Sequence, residues 1–404
     1  MNAVGIDVSK EKSMVAIMRP FGEVAVSPFE VKHTASDLSK LAKLIHSLDG
    51  MTRVVMEYTG NYYIPIALHL HNEGLFISVV NPILVRNYGN NTLRRAKTDK
   101  KDAIKLANYA LDHWTSLSQY FPGGDTRHLL KTFNRQYNQY IKLRVMQKNN
   151  LIALLDQTFP GVNRLFSSPP RKSDGREKWL DFATRFWHCE EVYRLSNGAF
   201  TQCYRKWCMR NGYNFSEQKA KEIYASVQGH TGLMPKTGAT KLLIMQALAQ
   251  LQGITQALTS IQQEMQRLAI TLPEYNVVMS MYGVGSTLGP QLIAEIGDIR
   301  RFSSKKALVA FAGLDAPPYQ SGNINVKSRS ISKRGSPALR KTLFQVMDIV
   351  LKKSPFDEPV YQFMDKKRSE GKPYLVYMIA SANKFLRVYY ARVKQHFDAL
   401  DKQI

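Results

Sequence analysis

An aspartate stands inside an apolar strand pattern near the start of the chain, Val4-Gly5-Ile6-Asp7-Val8. Acidic residues are disfavoured in strands and rarely buried without partners, so its presence needs a reason. Glu57 repeats the arrangement at the end of Arg53-Val54-Val55-Met56-Glu57. Asp99 and Asp102 follow in Lys97-Thr98-Asp99-Lys100-Lys101-Asp102-Ala103, three apart and so on one face of a helix. The elements between these acids constrain the fold. Residues 4–18 and 22–32 read as an antiparallel hairpin around Pro20-Phe21-Gly22. Thr34 to Asp37 opens a helix lined by Leu38, Leu41, Leu44 and Ile45. A strand at 53–58, a helix at 62–72, a strand at 75–80 and a helix near 99–112 complete the pattern. Strands first, then alternating helix and strand, make a mixed α/β sheet.

Such a sheet could gather the four carboxylates around divalent metal. Hard oxygen ligands suit Mg²⁺ (or Mn²⁺), which takes one or two carboxylates and leaves room for phosphate oxygens. The charge balance points to such a substrate. Fifty-six Lys plus Arg against 32 Asp plus Glu give +24 over 404 residues, an excess that suits nucleic acid or an anionic membrane. No apolar run approaches the ~18 residues needed to span a bilayer. The N-terminus runs straight into a strand pattern without a signal-peptide layout. The expected partner is nucleic acid, not membrane, and the expected location is cytoplasmic and nucleoid-associated. Cys189, Cys203 and Cys208 are odd in number and lack Cys-x-x-Cys spacing, so reduced core thiols are expected and not a zinc site.

From residue 126 the pattern turns helical. Residues 127–148 carry six cations and no acid, which fits a solvated amphipathic helix and a nucleic-acid face equally. Ile244, Leu251, Leu258 and Met265 hold one heptad position; Ala247, Ile254, Ile261 and Leu268 hold the other. That spacing predicts a coiled-coil seam, its partner being either the 127–155 helix or another subunit. Between these helices, residues 160–240 are rich in Trp, Phe and Tyr. Trp179, Phe182, Phe186, Trp187, Tyr204 and Trp207 could stack on bases, but aromatics at helical spacing more often form a core.

Residues 275–303 read as helix, Gly283-Val284-Gly285 turn, helix, a form that lets backbone N–H groups approach phosphate without reading sequence. Pro and Gly then flank Ser321 in Ala316-Pro317-Pro318-Tyr319-Gln320-Ser321-Gly322, which predicts a tight loop outside regular structure. The stretch that follows holds Lys327, Arg329, Lys333, Arg334, Arg340 and Lys341 without an acid. Cations beside a serine could stabilise a pentavalent phosphorus and activate the hydroxyl; a turn residue is the plainer reading of Ser321.

Taken together these residues resemble the bacterial insertion-sequence transposases of the IS116/IS110/IS902 type, to which the pilin-gene invertases are related. The motifs that carry the resemblance are Gly5-Ile6-Asp7-Val8-Ser9-Lys10, Met56-Glu57-Tyr58-Thr59-Gly60, and Lys97-Thr98-Asp99-Lys100-Lys101-Asp102-Ala103. Further along are Gly283-Val284-Gly285, Phe311-Ala312-Gly313-Leu314, Ser321-Gly322 and Ile331-Ser332-Lys333-Arg334-Gly335 with Leu339-Arg340. The resemblance implies a RuvC-like, ribonuclease-H-like α/β domain over 1–125. It implies a helical coiled-coil segment over 126–270 with an unassigned aromatic insertion near 160–240, and a mainly α serine transposase domain over 271–404. It also implies a metal tetrad of Asp7, Glu57, Asp99 and Asp102, Ser321 as nucleophile, and donor and target DNA as substrates. A structured bridge RNA would guide a homo-oligomer of two to four chains. Two other readings remain open at this point: a RuvC-like nuclease in which water attacks, and a non-catalytic nucleic-acid-binding protein.

Overall fold

The structure, a computed structural model, describes all of the chain except residues 59, 89–97, 172–174, 231, 317–319, 322–323, 326–329 and 403–404, and the side chains of 320–321 and 324–325. It divides into two units, Met1–Gly123 and Gly124–Ile404.

The first unit begins with an antiparallel meander of β1 (Asn2–Val8), β2 (Lys12–Met18) and β3 (Val24–Lys32). Then come α1 (Ala35–His46), β4 (Thr52–Glu57), α2 (Tyr63–Asn72), β5 (Phe76–Val80), α3 (Pro82–Tyr88) and α4 (Asp99–Asp112). The sheet order is β3-β2-β1-β4-β5, with β4 parallel to both β1 and β5, so the expected mixed α/β sheet is found. Side-chain alternation assigns its faces. Val4, Ile6, Val54, Met56 and Ile77 pack with α1 and α2, while Ala3, Val55 and Val80 pack with α3 and α4. Gly5 lies on the α4 face. A Cβ there would collide with the Ala103 carbonyl oxygen and the Ala107 amide nitrogen, so only glycine lets α4 lie this close to β1.

The second unit is largely helical. Two long helices, α5 (Gly124–Leu155) and, after four intervening helices, α10 (Gly238–Ile270), pack along each other. Between them lie α6 (Lys178–Arg185), α7 (Glu190–Tyr193), α8 (Asn197–Arg210) and α9 (Glu217–Ser226). After α10 come α11 (Tyr275–Met279), α12 (Leu288–Ile296), α13 (Lys305–Ala312), β6 (Gln320–Ser321), β7 (Ile324–Asn325), α14 (Pro337–Lys353), α15 (Pro359–Ser369) and α16 (Tyr374–Asp401).

The heptad stripe on α10 is buried except at the half-buried Ile254 and Ile261, and it feeds two different cores. Ile244, Ala247 and Leu251 join the aromatic insertion; Met265 and Leu268 join the C-terminal helices. What pairs with α10 is α5 of the same chain, and the apolar period is set by the two cores the helix serves. The insertion's aromatic residues are themselves core. Trp179, Phe182, Phe186, Trp187, Tyr204 and Trp207 are buried, with Phe182, Phe186, Tyr204 and Trp207 packed ring against ring, and that burial removes them as base-stacking platforms. Cys189 and Cys208 are buried free thiols in that core, and Cys203 is free and half-buried. No helix among the described residues is long and apolar enough to cross a membrane.

Candidate active site

β1 and β4 run parallel, and the last register pair is Ile6 with Met56. Asp7 and Glu57 come next on the two strands, at the same ends and on the same face as Gly5 and Val55. That is the face α4 covers. Both carboxylates are half-buried, and both are engaged in interactions. Thr98 caps α4 by accepting a hydrogen bond from the Lys101 amide at 3.3 Å, which fixes where the helix starts. Asp99 and Asp102 therefore fall in its first turn, where the helix dipole alone already favours acids. Asp99 extends the stripe of Ala103, Leu106 and Ala110 that packs on the sheet, and Asp102 flanks it. The Lys12 ammonium, at the start of β2, is held above its usual pKa, first by its hydrogen bond to Glu30 at 2.6 Å and more weakly by the charge of Asp99.

The sheet thus sets two hard-oxygen donors at neighbouring strand ends, and α4, which packs on that face, carries a third and fourth in its first turn. The donor chemistry suits Mg²⁺ or Mn²⁺. No three His, Cys, Asp or Glu side chains among the described residues are close enough together to form a ready-made metal cluster.

Ser321 occupies a different position from the one expected. It is the last residue of β6 and pairs with Ile324 of β7, so it sits at the turn end of a short hairpin, not in an irregular loop. The chain enters this arm through Phe311-Ala312-Gly313-Leu314-Asp315 and leaves it through Ile331-Ser332-Lys333-Arg334-Gly335-Ser336. The two segments cross at Gly313 and Gly335. A Cβ on Gly335 would strike the Phe311 carbonyl and the Gly313 amide, and Gly313 has φ +66°. Around the crossing, the Ser332 amide donates to the Asp315 carbonyl at 2.7 Å, the Lys333 amide to the Gly313 carbonyl at 3.2 Å, and the Ser336 amide to the Phe311 carbonyl at 2.8 Å. The Ser332 hydroxyl also donates to the Asp315 carboxylate. Two of the motifs noted in the sequence are therefore the two sides of one knot.

Of the cations expected at nucleic acid, Lys327 and Arg329 lie outside the described residues. Lys333 and Arg334 are exposed at the knot, Lys333 with a left-handed φ of +53°. Arg340 is half-buried and donates from Nη1 to the Ala312 carbonyl at 2.9 Å, so it braces the knot. Lys341 is exposed and donates to Asn138 Oδ1 at 2.9 Å. Gly283 forms the expected turn between helices with φ +81°, and a Cβ there would press on Val346 and Val350 of α14. Packing accounts for this glycine; Gly285 is exposed and faces open space.

Glu295 was not expected from sequence. It is 1% exposed, and its carboxylate accepts from Asn134 Nδ2 at 2.9 Å, Arg135 Nε at 2.8 Å, Arg135 Nη2 at 2.9 Å and the Ser336 hydroxyl at 2.9 Å. The available signal was an acid within the otherwise apolar Leu292-Ile293-Ala294-Glu295-Ile296.

A family model described as a transposase, DEDD_Tnp_IS110, matches residues 4–160. A second, described as Transposase IS116/IS110/IS902 family, matches residues 275–362. The pilin gene-inverting protein of Moraxella lacunata is 25% identical over 364 residues, 89% of this chain and 85% of the relative. The protein of the same name from Moraxella bovis matches to the same extent. Among solved structures, T. thermophilus RuvC in complex with Holliday junction substrate aligns at 10% identity and a TM-score of 0.23, over 29% of this chain and 96% of that one.

Proposed function

The chain belongs to the IS116/IS110/IS902 family of transposases, and from that premise we propose that it cuts and rejoins DNA strands through a phosphoserine intermediate with metal assistance. The observation that carries the metal half is that Asp7 and Glu57 stand one residue past the last register pair of two adjacent parallel strands, on the face that α4 covers. Asp7, Glu57, Asp99 and Asp102 would hold one or two divalent cations. A bound cation supplies neutralisation of charge on the scissile phosphate and on the leaving oxygen.

Ser321 Oγ attacks the phosphorus. A serine–phosphate bond forms as the bond to the 3′ oxygen breaks; the hydroxyl proton passes to solvent and the departing oxygen takes one up. Phosphodiester energy is retained in the new linkage, so an incoming 3′ hydroxyl can reverse the step and rejoin strands without ATP. Lys333 and Arg334, exposed at the base of the arm, offset phosphate charge. The acids and the serine belong to separate units, so the active assembly with DNA must bring them to one phosphate. The excess of 24 positive charges suits donor and target DNA and a structured guide RNA, which a homo-oligomer would hold.

The test is a trapped reaction. Incubation with DNA carrying an element end and Mg²⁺, followed by denaturation, should leave DNA covalently attached to wild-type protein and none attached to Ser321→Ala. Free 5′ phosphates without an adduct would instead indicate attack by water, and cleavage by neither protein would indicate a binding protein.

A further inference from the structure

We propose that Glu295 is a positioning residue for Ser321, a buried carboxylate that ties the base of the serine arm to α5; this rests on the reading of Ser321 as the nucleophile. The arm's own hairpin is two strands of two residues each, too small to hold a position by itself. The described residues that flank it in the chain, 311–315 and 331–336, meet in the knot.

The exit segment of the knot ends at Ser336, and Ser336 has three tasks. Its amide donates to Phe311, its hydroxyl caps α14 by accepting from the Leu339 amide at 3.2 Å, and the same hydroxyl donates to Glu295. Glu295 in turn is gripped by the two-pronged guanidinium of Arg135 and by Asn134, both on α5. One carboxylate therefore connects α12, α5 and the start of α14. A carboxylate this buried is stable only with its donors in place, so the arrangement resists sliding of any one element. The left-handed backbone of Lys333 points the same way: a non-glycine residue keeps such a conformation only where its surroundings enforce it. The amide of Lys333, three residues before Ser336, is fixed to the Gly313 carbonyl. Glu295 thus holds the knot, and the knot holds Lys333 in a left-handed geometry and ties together the two segments, 311–315 and 331–336, between which Ser321 lies in the chain.

The test uses the full-length chain with two variants. Glu295→Gln keeps the shape and removes the charge. Ser336→Gly removes the link to Glu295 while glycine remains an acceptable helix cap, so this variant folds even if the first does not. Three quantities are read: amide hydrogen exchange at residues 332–336, DNA affinity, and the rate of covalent adduct formation. Exchange at Lys333 and Ser336 should rise about tenfold, since local opening is what the tie prevents. Adduct formation should slow about 100-fold, the cost of a serine misplaced by an ångström. DNA affinity should stay within about twofold, because a positioning role affects the chemical step and not binding. Unchanged exchange and adduct rate in Ser336→Gly would overturn the proposal, and so would a loss of affinity equal to the loss of rate. The exchange measurement does not depend on catalysis. Should Ser321→Ala still form an adduct, the serine mechanism fails whatever Glu295 does.

Discussion

Gly5 shows how one missing side chain sets the geometry of the acids. Replacing it with alanine puts a Cβ into the backbone of α4, which cannot yield as a side chain tip would. Gly5→Ala should cost about 3 kcal/mol of stability, read by urea denaturation, and should abolish metal-dependent cleavage by moving Asp99 and Asp102 away from Asp7. Tyr88 gives a pH signature in the same unit. Burial, then its hydrogen bond to Asp112, push its hydroxyl from 10.0 up to about 12. The folded state therefore holds this proton more tightly than the unfolded chain. Its contribution is complete below pH 10 and is lost as pH rises through about 12. Urea midpoints across that window should fall for the wild type and fall less for Tyr88→Phe. Asp7 and Glu57 were legible in the sequence because acids stand out among Val, Ile and Met. Glu295 stands out the same way but was missed, since a buried acid on a helix shows its purpose only once Asn134, Arg135 and Ser336 are seen around it.

Among the elements, α5 is also fixed to the C-terminal helices by an ion pair whose two partners are both buried. Arg127, 9% exposed, grips Glu274, 1% exposed, with both prongs of its guanidinium. Arg127→Ala leaves the Glu274 carboxylate buried without its counter-ion and should cost about 3–5 kcal/mol in chemical denaturation. Replacing both partners together with Met and Leu should recover most of that loss. The helices and strands themselves were largely readable, because caps and apolar periods are local; Thr34 starts the helix it was expected to start. What a heptad pattern cannot reveal is the partner. The stripe on α10 needed only buried neighbours at that spacing, and two separate cores supply them. The β6–β7 hairpin was missed for the opposite reason: two residues per strand carry no period to read.

At the scale of the whole molecule, the proposed chemistry divides between the unit that carries the four acids and the unit that carries Ser321. The order of motifs along the chain makes both visible, whereas the proposed meeting of the two at one phosphate has no local signature in the sequence. The central claim is that metal held by Asp7 and its neighbours acts on the same phosphate that Ser321 attacks. The measurement that tests it most directly replaces a non-bridging oxygen of the scissile phosphate with sulfur and follows the serine–DNA adduct in Mg²⁺ and in Mn²⁺. Sulfur binds Mg²⁺ poorly and Mn²⁺ better. The account predicts that one sulfur diastereomer suppresses the adduct in Mg²⁺, that Mn²⁺ restores it, and that Asp7→Asn removes the rescue. Adduct formation on Ser321 at full rate in Mg²⁺ with either diastereomer, or without any divalent cation, would contradict it.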